Sequence, residues 1–201
     1  REKGPACQAR RMSISRAELE AFRGATLPDL IGPGLKLLFV GVNPGLRTVA
    51  MQAQFAFRGN RFYPALFRAG IVDRLIDASA GLDDADREHL LGRGVGITSL
   101  VAGATARADE LEDEELVAGA AALEVKVAQL QPAVTAILGV TAYRVAFARP
   151  RAALGRQPET IAGRQLWIVP NPSGRNAHAP LPVLATTYRE AAVAAGIVPY
   201  S

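Results

Sequence analysis

Histidine and cysteine are almost missing from this chain, and with them go the common routes to metal-dependent catalysis. The single cysteine, Cys7, excludes an internal disulfide framework and a cysteine-rich metal site. The two histidines, His89 and His178, lie far apart without metal-ligand spacing, so no catalytic zinc or iron centre is expected. No apolar run reaches membrane-spanning length, and the opening REKGPACQARR contains no hydrophobic signal segment. The expectation is a soluble, cytoplasmic protein, nucleoid-associated if bacterial. Two families of catalytic loop are absent as well. GVNPGLRT lacks the Gly-Lys-Ser/Thr of a phosphate-binding P-loop, no GxGxxG follows an expected strand, and no GxSxG nucleophile elbow occurs. Phosphoryl transfer and acyl transfer are therefore disfavoured.

What is present is ordinary globular composition, 49% apolar and 21% charged over 201 residues, enough for one domain with a layered core. The net charge is +4 and arginine supplies nearly all of the positive charge. Arginine suits bidentate phosphate contacts, which leans towards a polyanionic partner; the plainer reading is that this charge keeps a small domain soluble.

Along the chain, residues 1–12 are basic and patternless and are expected to form a flexible arm, with a single domain over 13–201. A short helix is expected in SRAELEAFRGA, with Ser15 as N-cap, Glu18 closing a capping box and Gly24 as stop. LKLLFVGV reads as a strand buried on both faces, VGITSLV as a second strand, AVTAILG as a third, buried strand and RQLWIVPNPSG as a fourth. Helices are expected over NRFYPALFRAGI, DDADREHLLGRG, TAYRVAFARP and LPVLATTYREAAVAAG, and the longest over 109–132, acidic at its start and stopped by Pro132. The stretch from Asn43 to Gly59 reads as a loop. Strands alternating with helices imply an α/β fold, a three-layer α/β/α sandwich around a mostly parallel sheet of four to five strands.

Two of these strands run into an Asn-Pro turn closed by glycine, LLFVGVNPG at 37–45 and LWIVPNPSG at 166–174. Each alone is an ordinary turn sequence. Two at strand ends point to a shared site, because sites in open α/β sheets lie beyond the carboxyl ends of the strands. Around the first turn lie Asn43, the aromatics Phe55 and Phe57, and a second amide, Asn60. An amide can hold a water and read the edge of a flat heterocycle, and a ring can stack on its face. That combination suits a base taken out of a duplex. One of the two phenylalanines is expected to be core instead.

The segment GVNPGLRTVAMQAQFAFRGNRFYPALFRAG, followed in order by GVGITSLV, PAVTAILG, LWIVPNPSG and NPSGRNAH, resembles the mismatch-specific uracil-DNA glycosylase and thymine-DNA glycosylase family. The similarity spans roughly residues 35–195. It implies a DNA repair enzyme that flips uracil, and in some members thymine or other damaged bases, out of mismatched duplex DNA. The N-glycosidic bond is then hydrolysed to leave an abasic site, with no cofactor and no metal. The implied partner is double-stranded DNA with G·U or related mismatches, and no membrane is involved. By the resemblance, Asn43 positions the attacking water, Phe55 stacks on the flipped base, and backbone groups near Val42 and Phe55 read its edge. Asn60 adds a second amide to the base site. The second motif, with Asn171, Ser173, Gly174, Arg175, Asn176 and Ala177, enters the duplex as a wedge. Arg47, Arg58 and Arg61, with Arg175, are the nearby candidates for phosphate contacts.

Two positions depart from the family pattern. The wedge is commonly apolar in the family, whereas Arg175 stands here, and a guanidinium in the vacated stack is the expectation. Asp109 occupies a place where the family carries a polar, uncharged residue. Asp109 is the alternative general base; the plainer reading is that it, or Asp113, caps the long helix. Two other classes remain open. One is a non-catalytic DNA- or nucleotide-binding module of the same fold; the other is a metal-dependent nuclease using the acids at Asp83–Asp86.

Overall fold

The computed structural model describes residues 14–174, 176 and 179–201. The expected basic arm, and Arg175, Ala177 and His178 in the second motif, lie outside the described residues. The elements in chain order are α1 (Arg16–Glu20), β1 (Leu37–Gly41), α2 (Leu46–Ala50), α3 (Phe62–Arg68), α4 (Asp84–Gly92), β2 (Val95–Ser99), α5 (Asp113–Leu130), β3 (Val134–Leu138), α6 (Val140–Ala146), β4 (Gly155–Ile161), β5 (Arg164–Val169) and α7 (Leu181–Ala194).

The strands form one sheet in the order β2-β1-β3-β5-β4. The first four run parallel, and β4 returns antiparallel to β5. The continuous apolar runs are explained by burial on both faces. Leu37 and Phe39 of β1 pack with Leu66 of α3, Leu90 of α4 and Tyr188 of α7. Leu38 and Val40 point the other way, onto Leu116, Leu123 and Val127 of α5 and Tyr143 of α6. This is the expected α/β/α sandwich. Fully burying a side chain such as Phe39 is worth about 1.5–3 kcal/mol, so each face of β1 holds down one helical layer. No helix among the described residues is long and apolar enough to cross a membrane.

Four details add to or correct the sequence reading. β4 is a strand that the sequence reading did not name, and Pro158 lies within it. The proline is tolerated because β4 is an edge strand and Pro158 falls in a register shift between Arg156 and Thr160. The stretch 46–50, read as loop, is a helical turn entered from Gly45 directly after the first Asn-Pro turn. The long helix starts at Asp113, later than expected, with Glu112 as N-cap and Glu115 closing a capping box, so neither Asp109 nor Asp113 caps it. Asp109 sits instead in a 3-10 turn, Ala108–Glu110. Finally, the acids at Asp83–Asp86 have a local explanation. The Asp83 side chain accepts from Asp86 N to cap α4, and Asp86 pairs with Arg74.

Candidate active site

Parallel strands place their carboxyl ends along one edge of the sheet, so the turns after β1, β2 and β5 meet there. The loop after β2 keeps pairing with the first Asn-Pro turn: Leu100 N donates to Gly41 O at 2.8 Å and Val101 N to Val42 O at 2.9 Å. Further on, Thr105 N donates to Pro44 O at 3.3 Å. This pairing fixes Asn43. Its Nδ2 donates to Gly103 O at 3.1 Å and to Thr105 Oγ1 at 2.7 Å. The Thr105 hydroxyl in turn donates to Arg107 O at 2.7 Å. A peptide carbonyl can only accept, so the nitrogen of the amide must face Gly103 and the oxygen must face away. Both N–H groups of Asn43 are thereby engaged, and Oδ1 carries no hydrogen bond among the described residues. Asn43 therefore presents an acceptor.

The second wall is aromatic. Phe55 has a left-handed backbone, φ 58°, a conformation that phenylalanine rarely adopts and that tertiary contacts must enforce. One face of its ring stacks on Phe62 at a centroid distance of 4.1 Å. Phe62 is fully buried and meets Phe39 edge-on at 5.2 Å, so the platform is backed by the core. Phe57 is 62% exposed at the rim, whereas Phe55 is partly buried and packs against the core. Preceding the platform, Gln54 is held at both ends. Its carbonyl accepts from the Tyr63 hydroxyl at 3.0 Å, and its Nε2 donates to Pro28 O at 2.7 Å. Burial pushes the Tyr63 phenol well above its ordinary value, so the donated proton is retained. Asn60 Oδ1 accepts from Phe62 N at 2.9 Å, which starts α3 and leaves Nδ2 as its remaining donor.

The second Asn-Pro turn is a braced loop. Asn171 Oδ1 accepts from Ser173 N at 2.9 Å, and Asn176 Nδ2 donates back to Asn171 O at 3.1 Å. The buried Tyr188 hydroxyl donates to Pro170 O at 3.0 Å. Arg61, expected among the phosphate contacts, is turned inward: its guanidinium donates to the carbonyls of Ser173, Asn176 and Ala179. Its backbone N–H donates to Pro172 O at 3.0 Å. A cation that saturates three carbonyls has no fork left to offer a phosphate, so Arg61 is a clasp between the two turns. Gly174 lies directly against this seam, since a Cβ there would come within 3.1 Å of Gly59 O.

These walls enclose a cavity of about 710 Å³, inside the range typical of ligand pockets, about 300–1,000 Å³. Of the expected base-site residues, Val42, Asn43, Phe55 and Asn60 all line it. So do Asn171, Ser173 and Gly174 from the second motif, while Asn176 and Arg61 stand behind that loop. Arg47 and Arg58 are at the margin. Arg58 is exposed and makes no ion pair with a described residue, whereas Arg47 is half-buried with Nη2 donating to Ser79 O at 3.4 Å. Asp109 borders the same cavity, but both its oxygens accept from Arg107, each at 2.7 Å. Among the described residues, no group of three or more His, Cys, Asp or Glu side chains is placed to hold a metal ion.

The sequence reading missed Gln54, Ser99 and Thr105, all of which line the cavity. Thr105 was hidden because its partner Asn43 lies 62 residues away. Ser99, the last residue of β2, had one available signal, since strand ends are where such sites form.

Against known proteins, the family model described as the Uracil DNA glycosylase superfamily matches residues 28–194. Among solved structures, the chain is similar to the solution NMR structure of a candidate uracil DNA glycosylase from Methanosarcina acetivorans. The TM-score is 0.56 at 14% sequence identity, covering 84% of this chain and 97% of that one, a likeness of fold.

Proposed function

The chain belongs to the uracil DNA glycosylase superfamily, and from that premise we propose that it hydrolyses the N-glycosidic bond of uracil flipped out of mismatched duplex DNA, G·U foremost. The observation that carries this reading is the state of Asn43. With both N–H groups engaged by Gly103 O and Thr105 Oγ1, the side chain offers its oxygen alone. It lines the same cavity as a ring whose rear face is backed by the core.

The reaction is dissociative in character: negative charge collects on the departing base while the sugar becomes oxocarbenium-like. A neutral amide is a poor base, but Asn43 Oδ1 can accept a hydrogen from a water and turn its lone pair towards C1′. Amide donors aimed at the base oxygens stabilise the leaving group, and Asn60 Nδ2 is one such donor. Phe55 stacks on the extruded base. Flipping costs a few kcal/mol and least at a mismatch, which favours uracil opposite guanine over uracil opposite adenine. The second turn, braced by Arg61, holds the duplex open, with Arg175 as its wedge, while Arg58 and Arg47 grip phosphates. Asp109 remains the rival base, favoured by its place on the cavity wall.

The test is a panel of labelled oligonucleotides carrying uracil opposite guanine, opposite adenine and unpaired, with thymine opposite guanine alongside. Release of free uracil, fastest opposite guanine, is expected; no base release from any of them would leave a non-catalytic binding module. Thymine release reports the clearance around its C5-methyl. Within this reading Thr105 is a positioning residue. Thr105→Val should lower the single-turnover rate about tenfold with little change in KM, and Thr105→Ser should restore it. An unchanged rate in Thr105→Val would show that Asn43 is held without the hydroxyl.

A further inference from the structure

Among the described residues, Phe57 alone of the exposed large apolar side chains lines the cavity. Isolated apolar side chains on a surface are ordinary, but this one is held in place on both sides. Before it, Ala56 is packed into the core. After it, the chain makes a tight turn from Phe57 to Asn60. Asn60 N closes that turn by donating to Phe57 O at 2.9 Å, and Gly59 supplies the left-handed backbone at φ 87°. The turn is locked to the second Asn-Pro loop, because Arg61 N donates to Pro172 O at 3.0 Å and Gly174 lies against Gly59 O. Phe57 therefore stands on a fixed rim, beside the loop proposed to hold the duplex open, and the exposed Arg58 follows it. An aromatic ring next to an exposed cation is a combination with which proteins hold unstacked nucleotides. The ring takes the face of a base and the cation a phosphate.

Resting on the glycosylase reading, we propose that Phe57 stacks on the base adjoining the extruded nucleotide in the same strand and so holds the opened DNA at the cavity mouth. The extruded base itself is accounted for by Phe55, the platform backed by Phe62. Phe57 stands farther out, on the rim that the strand carrying the extruded nucleotide has to cross. A base that leaves a duplex uncovers one face of each neighbour, and a phenyl ring can cover such a face again. Every base has a π face, so the contact tolerates any flanking sequence. Phe57 touches no reacting atom in this arrangement and is a positioning residue for the DNA.

The test is a set of binding measurements on duplexes with the lesion opposite guanine. One carries a tetrahydrofuran abasic analogue, which leaves the base pocket empty; another carries uracil on a 2′-fluoroarabino sugar, which resists cleavage. Phe57→Ala should lose about tenfold on both, with an unchanged unfolding temperature because the ring is exposed. Phe57→Trp should bind at least as tightly as wild type, whereas Phe57→Leu should lose most of what alanine loses. The decisive readout is a cycle that also removes the base on the 5′ or the 3′ side of the lesion. On one side, that removal should cost wild type about tenfold and Phe57→Ala nothing further. Additive losses on both sides, or no loss in Phe57→Ala, would overturn the proposal. A loss confined to the uracil duplex would overturn it too, by placing the ring on the extruded base. Full affinity in Phe57→Leu would reduce the contact to apolar burial without stacking, and the proposal would fall. Failure of the glycosylase reading looks different: no uracil release, and no preference of wild type for either lesion duplex over an unmodified one.

Discussion

Asn43→Ala should slow single-turnover uracil release about 10²–10³-fold while leaving the affinity for a G·U duplex within about threefold. The asymmetry follows from where the contact acts. In the proposed mechanism Asn43 touches the water and the developing charge, not the duplex, so its loss is expected in the transition state and hardly in binding. Removing the amide also deprives Gly103 O and Thr105 Oγ1 of their donor, which loosens the loop after β2 and adds to the effect. Asp109→Ala is the necessary companion. Its carboxylate is largely exposed and both oxygens already accept from Arg107, so a change within about threefold is expected from a surface pair of this kind. The reverse pattern, with Asn43→Ala fully active and Asp109→Ala inert, would transfer the role of water activation to Asp109.

Arg61→Ala should destabilise the fold by about 3 kcal/mol and weaken duplex binding together, because one half-buried guanidinium satisfies three carbonyls at once. Three orphaned acceptors beneath the second Asn-Pro turn would free that loop from α3, and amide exchange at Ser173 and Asn176 should accelerate. Arg61→Lys should rescue little, since a single ammonium cannot reproduce a planar fork spanning Ser173, Asn176 and Ala179. Thermal unfolding and salt-dependent binding check this from opposite sides. A phosphate contact at Arg61 would instead leave stability untouched and lower the salt slope of binding by about one. Observing that second pattern would return Arg61 to the role the sequence suggested.

The difference between those two roles shows what the chain's order of residues conveys. Arg61 was legible as a cation near the site because it follows Asn60 and sits close to the first turn. Its acceptors lie 112 to 118 residues away, and no local pattern announces them. Asp109 is the complementary case. An acidic run before an apolar helical pattern reads as a cap, yet Glu112 and Glu115 close that capping box and leave Asp109 to pair with Arg107. β4 escaped notice because Pro158 argues against a central strand, and only the sheet order shows that β4 is an edge.

By itself the sequence determined the strands β1, β2, β3 and β5, because burial on both faces demands unbroken apolar runs. It also placed Asn43 and Asn171 at strand ends, because a parallel sheet sends its turns to one edge. Tertiary structure alone decided which way each polar group points. Asn43 became an acceptor, Gln54 an acceptor without a partner among the described residues and Arg61 a clasp because carbonyls distant in sequence took their donors. Hydrogen bonding is directional and short in range, so partners brought together by folding, not neighbours along the chain, fix what a side chain can offer.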